Sequence, residues 1–458
     1  MKKFLSTALA LGMVAGLAAT ASALELKVTG RYVVDGYYID AGNGAAGRPS
    51  NGVLPFDIFG LDEEPDSWYE HAFITNPDLI INDKIMMKTE IRFIDRGTVW
   101  GGHREVSDGG ATGYGHVEDG EGFSVEKAWL VYESPVGKWE IGRRPAGAWQ
   151  GAFVNSSGHA DRLMWNFPVM SGFKSYAFLE KQQEVDGYFA DLENNDKDYY
   201  EAAAGYDVEG IKAWLGLGWS DDNTKDFGPA STQTDNYRVK GYGEFKINET
   251  FGLATEFDYK WGTTEFSSGA PDSDTDGLAF ILSGMGKFDA LSASLHYAYI
   301  SGDDQSSRDN EAYDKNNGMG WDFEPLYILT GNATNILNGY RGASLVGTTV
   351  RTAGAHAVVA LADYAVSEDL TLHGGVGWGM ADEPDQRIGF DALGRPVMLD
   401  VDDEYGWEFD LGLAYKLYSN LTYELHFGWW AVGDFAEVGG LFETEDVFLL
   451  SHHLSMKF

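Results

Sequence analysis

The stretch Tyr405-Gly406-Trp407-Glu408-Phe409-Asp410-Leu411-Gly412-Leu413-Ala414-Tyr415-Lys416 decides the fold. Residues two apart share one face of an extended strand. One face is then Tyr405, Trp407, Phe409, Leu411, Leu413 and Tyr415, and the other is Gly406, Glu408, Asp410, Gly412, Ala414 and Lys416. Aromatic and apolar on one side, small or charged on the other, sustained over about ten residues, describes a strand with lipid on one face and water on the other.

The pattern recurs along the chain. Leu421, Tyr423, Leu425, Phe427 and Trp429 alternate with Thr422, Glu424, His426 and Gly428. Phe251, Leu253, Thr255, Phe257, Tyr259 and Trp261 alternate with Glu256, Asp258 and Lys260, and Leu291 to Tyr299 and Ile85 to Phe93 behave alike. A soluble β-sandwich alternates too, but it fills its core with Val, Ile and Leu on shorter strands. Here the apolar faces begin and end in Tyr, Trp or Phe, as aromatic girdles at two water–lipid interfaces do. The fold expected is all-β, a transmembrane antiparallel up-and-down β-barrel.

The connections alternate as well. Short turns stand at Asn82-Asp83, Ser134 to Gly137, Val208 to Gly210, Asn248 to Thr250, Asp289-Ala290, Ser367 to Asp369 and Ser419-Asn420. Between them lie long polar loops at 40–68, 96–122, 145–160, 184–197, 220–236, 263–276, 302–350, 381–404 and 433–445. Short turns on one side and long external loops on the other are the barrel rule. Chain entry and exit on the short-turn side require an even strand number, 18 or 16.

Lys2 and Lys3, the apolar run Phe4 to Ala19 and the small-x-small site Ala21-Ser22-Ala23 form a secretory signal peptide, with cleavage expected after Ala23. Residues 24–458 contain no hinge or low-complexity block and are read as one domain. Acidic residues outnumber basic ones 71 to 33, for a net charge of −38, which excludes nucleic acid as a partner. There is no cysteine, so neither disulfides nor thiolate metal sites are available. Ten histidines are present, with His452-His453 adjacent, but no Ser or Asp constellation surrounds them, and a barrel hydrolase is not expected.

Leu450, Leu454, Met456 and Phe458 share a face of the last strand. A C-terminal aromatic with apolar residues at alternate positions resembles the assembly signal of bacterial outer-membrane proteins. It implies the barrel-assembly machinery as a partner, with Leu454, Met456 and Phe458 as the signal.

Ile141-Gly142-Arg143-Arg144-Pro145 ends a brief strand, a glycine-bearing loop follows, and Asp161 to Phe167 resumes the strand. Near the start, Leu26, Val28, Tyr32, Val34 and Tyr38 read outward, and Lys27, Arg31 and Asp35 inward. In these features the chain resembles the trimeric general porins, closest to the homotrimeric outer-membrane porins of sulfate- and metal-reducing-type bacteria. The resemblance implies an outer-membrane homotrimer in contact with lipid and lipopolysaccharide, passing small hydrophilic solutes and ions. It implies an inward-folded third loop, 145–160, as the constriction. The pore-lining set it implies is Arg31, Lys88, Arg92, Arg96, Arg143, Arg144, Trp149, Asp161 and Arg162. The loop departs from the family in carrying only Asp161 as an acid, at its edge, so ion preference does not carry over. A sugar- or organic-acid-selective channel and a structural barrel are the rival readings. Asp62-Glu63 and the alternating Asp272, Asp274 and Asp276 offer oxygen ligands for Ca²⁺ or Mg²⁺, or simply solvated charge. No other cofactor is expected.

Overall fold

The computed structural model describes residues 24–40, 66–99, 124–147, 149–154, 158–169, 171–184, 196–225, 232–304, 307–313, 325–330, 353–384, 387–390, 396–399, 402–436 and 446–458. The signal segment, Asp62 and Glu63 lie outside them.

The strands are β1 (Glu25–Asp40), β2 (Asp66–Ile80), β3 (Ile85–Val99), β4 (Ser124–Ser134), β5 (Gly137–Pro145), β6 (His159–Asn166), β7 (Phe173–Gln183), β8 (Lys197–Val208), β9 (Ile211–Lys225) and β10 (Thr232–Lys246). They continue as β11 (Phe251–Phe266), β12 (Ser273–Phe288), β13 (Leu291–Ile300), β14 (Ala355–Ala365), β15 (Leu370–Met380), β16 (Arg387–Phe390), β17 (Pro396–Leu399), β18 (Glu404–Tyr418), β19 (Leu421–Val432) and β20 (Val447–Lys457). Apart from the separate hairpin β16–β17, they make one 18-stranded sheet. Each strand pairs antiparallel with its sequence neighbour, and β15 pairs with β18. The ring closes because β1 pairs with both β2 and β20, with Arg31 opposite Lys457. Gly30 and Phe458 exchange backbone hydrogen bonds of 2.9 and 3.0 Å at the seam. Closure leaves no unpaired edge, the condition for a sheet in hydrocarbon. Of the two strand numbers expected, 18 is the one found.

The outer face is the predicted one. Trp407, Phe409, Leu411, Phe427, Leu253, Phe257, Leu295, Met87 and Phe93 are all exposed there, Leu411 to 66%. Aromatic pairs collect at both ends. Trp139–Trp165 and Phe251–Phe288 lie at the short-turn end, and Tyr200–Trp219, Tyr237–Trp261 and Phe409–Trp429 toward the long-loop end. Indole N–H groups at the long-loop end are satisfied by acids on the neighbouring strand's end: Trp219 donates to Asp235 and Trp429 to Asp446, both at 3.0 Å. Burying a ring body beside a wet polar tip is what an interfacial tryptophan does.

One residue of the opening stretch departs from the alternation. The register shifts between Gly379 and Met380, so Tyr405 is the extra residue of a bulge, followed by Gly406 at φ 107°. Only glycine takes that backbone easily. The bulge turns Tyr405 inward, where it is buried and donates to the carbonyl of Gly354 at 2.9 Å.

Candidate functional site

The loop between β5 and β6 turns into the barrel. Trp149 is buried, with the Lys240 Nζ of β10 4.8 Å from its ring centre. Phe153 is buried against Ala279 and Ile281 of β12, Ala298 and Ile300 of β13, and Tyr313. Glu256 of β11 accepts the backbone N–H of Phe153 and of Val154, each at 3.0 Å. The loop thus starts on β5 and is fastened to β10–β13, crossing the lumen as a chord. The inward third loop is where the sequence placed it.

The wall at and around the foot of this loop carries paired charges. Arg144 Nε stands 2.8 Å from Glu140 Oε2. Arg162 Nε stands 2.5 Å from Glu180 Oε2, donates to the carbonyl of Ala146 at the loop's start, and lies 3.9 Å over the Phe178 ring. Lys240 Nζ reaches Glu201 at 2.6 Å, and Tyr176 and Tyr199 donate to the same carboxylate. Arg238 pairs with Asp258, which also accepts from Tyr313 Oη at 2.6 Å. A buried charge is tolerated when an opposite charge meets it, and one meets each of these.

The nine residues implied by resemblance do not form one cluster. Arg144, Trp149 and Arg162 come together beneath the loop. Arg31 lies on the inner face of β1, lining a cavity of about 820 Å³ with β2, β15, β19 and β20. Lys88 and Arg92 face inward on β3, where Lys88 pairs with Asp78 at 3.7 Å and Arg92 with Glu90 at 3.2 Å and Glu126 at 3.9 Å. The side chain of Arg96 lies outside the described residues. Arg143 and Asp161 are corrected. They share the outer face with Ile141, Leu163, Trp139 and Trp165 and form a two-pronged ion pair at 3.1 and 2.9 Å. The reason is parity: of the adjacent pairs Arg143-Arg144 and Asp161-Arg162, only one member can face the lumen. Leu454, Met456 and Phe458 lie on the outer face at the β20–β1 seam, Phe458 with its ring 6.3 Å from that of Phe73. Asp272, Asp274 and Asp276 string along the start of β12, where Asp274 accepts from Thr263 at 2.9 Å. No group of three acidic or histidine side chains that could hold a metal ion occurs among the described residues.

A second inward segment was not foreseen. In the connection between β13 and β14, read from sequence as a long external loop, Leu326, Tyr327, Ile328 and Leu329 are buried with Val359, Tyr37, Trp430 and Leu449 on the inner wall. Asp410 accepts the N–H of Tyr327 at 3.1 Å, and Glu408 accepts those of Ile328, at 2.5 Å, and Leu329. Thr330 Oγ1 closes the turn by accepting from Leu326 N at 2.7 Å. The signal was legible: four consecutive apolar residues in a supposedly solvated loop need burial, and Glu408 and Asp410 at inward positions offered the acceptors.

No family model and no curated protein matches this sequence. Solved structures do. OpdL of Pseudomonas aeruginosa superposes with a TM-score of 0.51 at 9% identity, covering 95% of this chain and 99% of its own. OpdQ of the same organism gives 0.49 at 10%, covering 94% and 98%. An anion-selective porin from Comamonas acidovorans gives 0.44 at 10%, covering 95% and 100%. At such identities the likeness to OpdL is one of fold, spanning nearly the whole of both chains.

Proposed function

We propose that the protein is an outer-membrane porin that lets small hydrophilic solutes and ions diffuse passively through a water-filled barrel narrowed by the β5–β6 loop. One observation carries this reading: a closed ring of 18 strands, apolar outside and charged inside, with the loop fastened across its lumen. Barrels of this strand number are wider than their own side chains can fill. The short turns face the periplasm and the long loops the exterior, after export and removal of residues 1–23. The β20 face ending in Phe458 serves assembly. The homotrimer and the contact with lipopolysaccharide rest on the porin resemblance alone.

The test is reconstitution of the purified chain in planar bilayers. Stepwise, ohmic conductance with no hydrolysis of lipid or peptide supports a general pore. Saturable block by a sugar or organic acid moves the reading to a selective channel. A barrel that inserts and never conducts refutes both.

A further inference from the structure

On the inner wall of β5 to β11, Glu140, Glu180, Glu201 and Asp258 each meet an arginine or lysine. From β14 round to β1, three acids meet imidazoles instead. His373 Nδ1 stands 2.6 Å from Asp363, His426 Nε2 stands 3.3 Å from Glu424, and His453 Nδ1 bonds to Asp35. The pairs form one belt. Glu70 of β2 is opposite Asp35 of β1, Asp35 is opposite His453 of β20, and His453 is opposite Glu424 of β19. His426, two residues along from Glu424, is opposite Gly412 of β18, and Gly412 is opposite His373 of β15, which is opposite Asp363 of β14. Glu424 lies within electrostatic reach of all three imidazoles.

Other charged and titratable groups face the belt. Arg31 and Lys457 share its cavity of about 820 Å³ at the short-turn end, where Ser419 and Asn420 also line it. Glu70 accepts from Trp68 Nε1 at 2.9 Å, and Asp410 stands two residues along from Gly412. Tyr327 sets its ring edge-on to His426, centroids 4.5 Å apart, and its hydroxyl over Gly412. The belt is wet: the side chains of His373 and His453 keep 32% and 33% of their surface exposed.

Imidazole is the side chain whose ordinary charge changes between about pH 5 and 8. Ordinary carboxylates, lysine and arginine hold their charges across that window. Acidification through it therefore adds positive charge at three places on one side of the wall and removes negative charge nowhere. An arginine or lysine at these places would fix the charge. Wall charge within a Debye length, about 10 Å at 0.1 M salt, sets which ions gather beside it.

We propose that His373, His426 and His453 are specificity-determining residues of the pore. Neutral, they leave the belt's carboxylates to draw cations; protonated, they offset those carboxylates and admit anions. The inference rests on the porin reading and adds to it a selectivity that follows pH.

Reversal potentials of the purified chain are measured in planar bilayers with asymmetric potassium chloride, at about pH 8 and about pH 5.5. The cation-to-anion permeability ratio of the parent should fall about threefold or more on acidification. His373→Gln, His426→Gln and His453→Gln should each remove part of that fall, and the triple variant should hold the ratio nearly constant. If His453→Gln does not insert, His373→Gln, in the most exposed of the three pairs, carries the same test. His452→Gln is the control. That ring lies on the outer face between those of Tyr69 and Tyr423, and its variant should respond as the parent does. A conducting parent whose ratio ignores pH overturns this inference and leaves the porin reading standing, as does a full fall in the triple variant. A chain that never conducts overturns both.

Discussion

The carboxylate of Glu256 accepts the backbone N–H of Phe153 at 3.0 Å, joining the third loop to a strand on another part of the ring. Val154 donates to the other carboxylate oxygen at the same distance. Hydrogen bonds to a charged acceptor are worth about 1.5–3 kcal/mol each. Glu256→Ala should therefore weaken the seated loop by about 3 kcal/mol or more, roughly a hundredfold in its population ratio. Single-channel recordings should show a larger and noisier conductance than the parent. An unchanged, quiet step would mean that the loop does not set the width.

Lys240 and Glu201 form a buried pair at 2.6 Å. Removing one partner strands the other charge, at a cost of about 3–5 kcal/mol. Lys240→Met should lower the urea midpoint of the detergent-folded barrel, and adding Glu201→Gln should recover most of the loss. A double variant as unstable as the single would show that the pair's charge balance is not what matters.

Arg92 and Arg143 were grouped together by sequence and are separated by the structure. Arg92 faces the lumen beside Glu90 and Glu126, and Arg143 faces outward against Asp161. Reversal potentials in asymmetric salt should shift toward cations for Arg92→Gln and stay put for Arg143→Gln. A shift for Arg143→Gln alone would invert the assignment of faces.

Leu411 lies on the outer face of β18 and is 66% exposed. An arginine near the bilayer midplane of a barrel costs about 2–4 kcal/mol. Leu411→Arg should reduce folding into lipid vesicles by that amount in a urea titration. Indifference to the change would place this face in water.

Most of the barrel was legible because alternation is a direct imprint of two solvents on one strand. Trp407, Phe409 and Leu411 fall where the period puts them, and the short turns fall at the glycine, asparagine and aspartate clusters that mark them. The losses have physical causes. A single bulge residue reverses the face of everything on one side of it, and Tyr405 sits on such a point. Arg143-Arg144 and Asp161-Arg162 are adjacent pairs on their strands, and adjacency alone forbids four inward charges. The quartet Leu326 to Leu329 carries no periodic signal, because a long loop has no period to read. Only its unexplained apolarity, matched with the inward acids Glu408 and Asp410, could have shown that it folds inside.

Met285 and Leu295 give the most direct test. Met285 lies on the inner face of β12 opposite Ser294, and Leu295 on the outer face of β13 opposite Gly284. The chain has no cysteine of its own, so Met285→Cys and Leu295→Cys each carry one thiol. Conductance of each is recorded in a planar bilayer before and after a charged, water-soluble thiosulfonate. The current should fall for Met285→Cys and hold for Leu295→Cys. Equal response at both positions, or block at Leu295→Cys alone, would mean that the inner face of this sheet does not line a water-filled path.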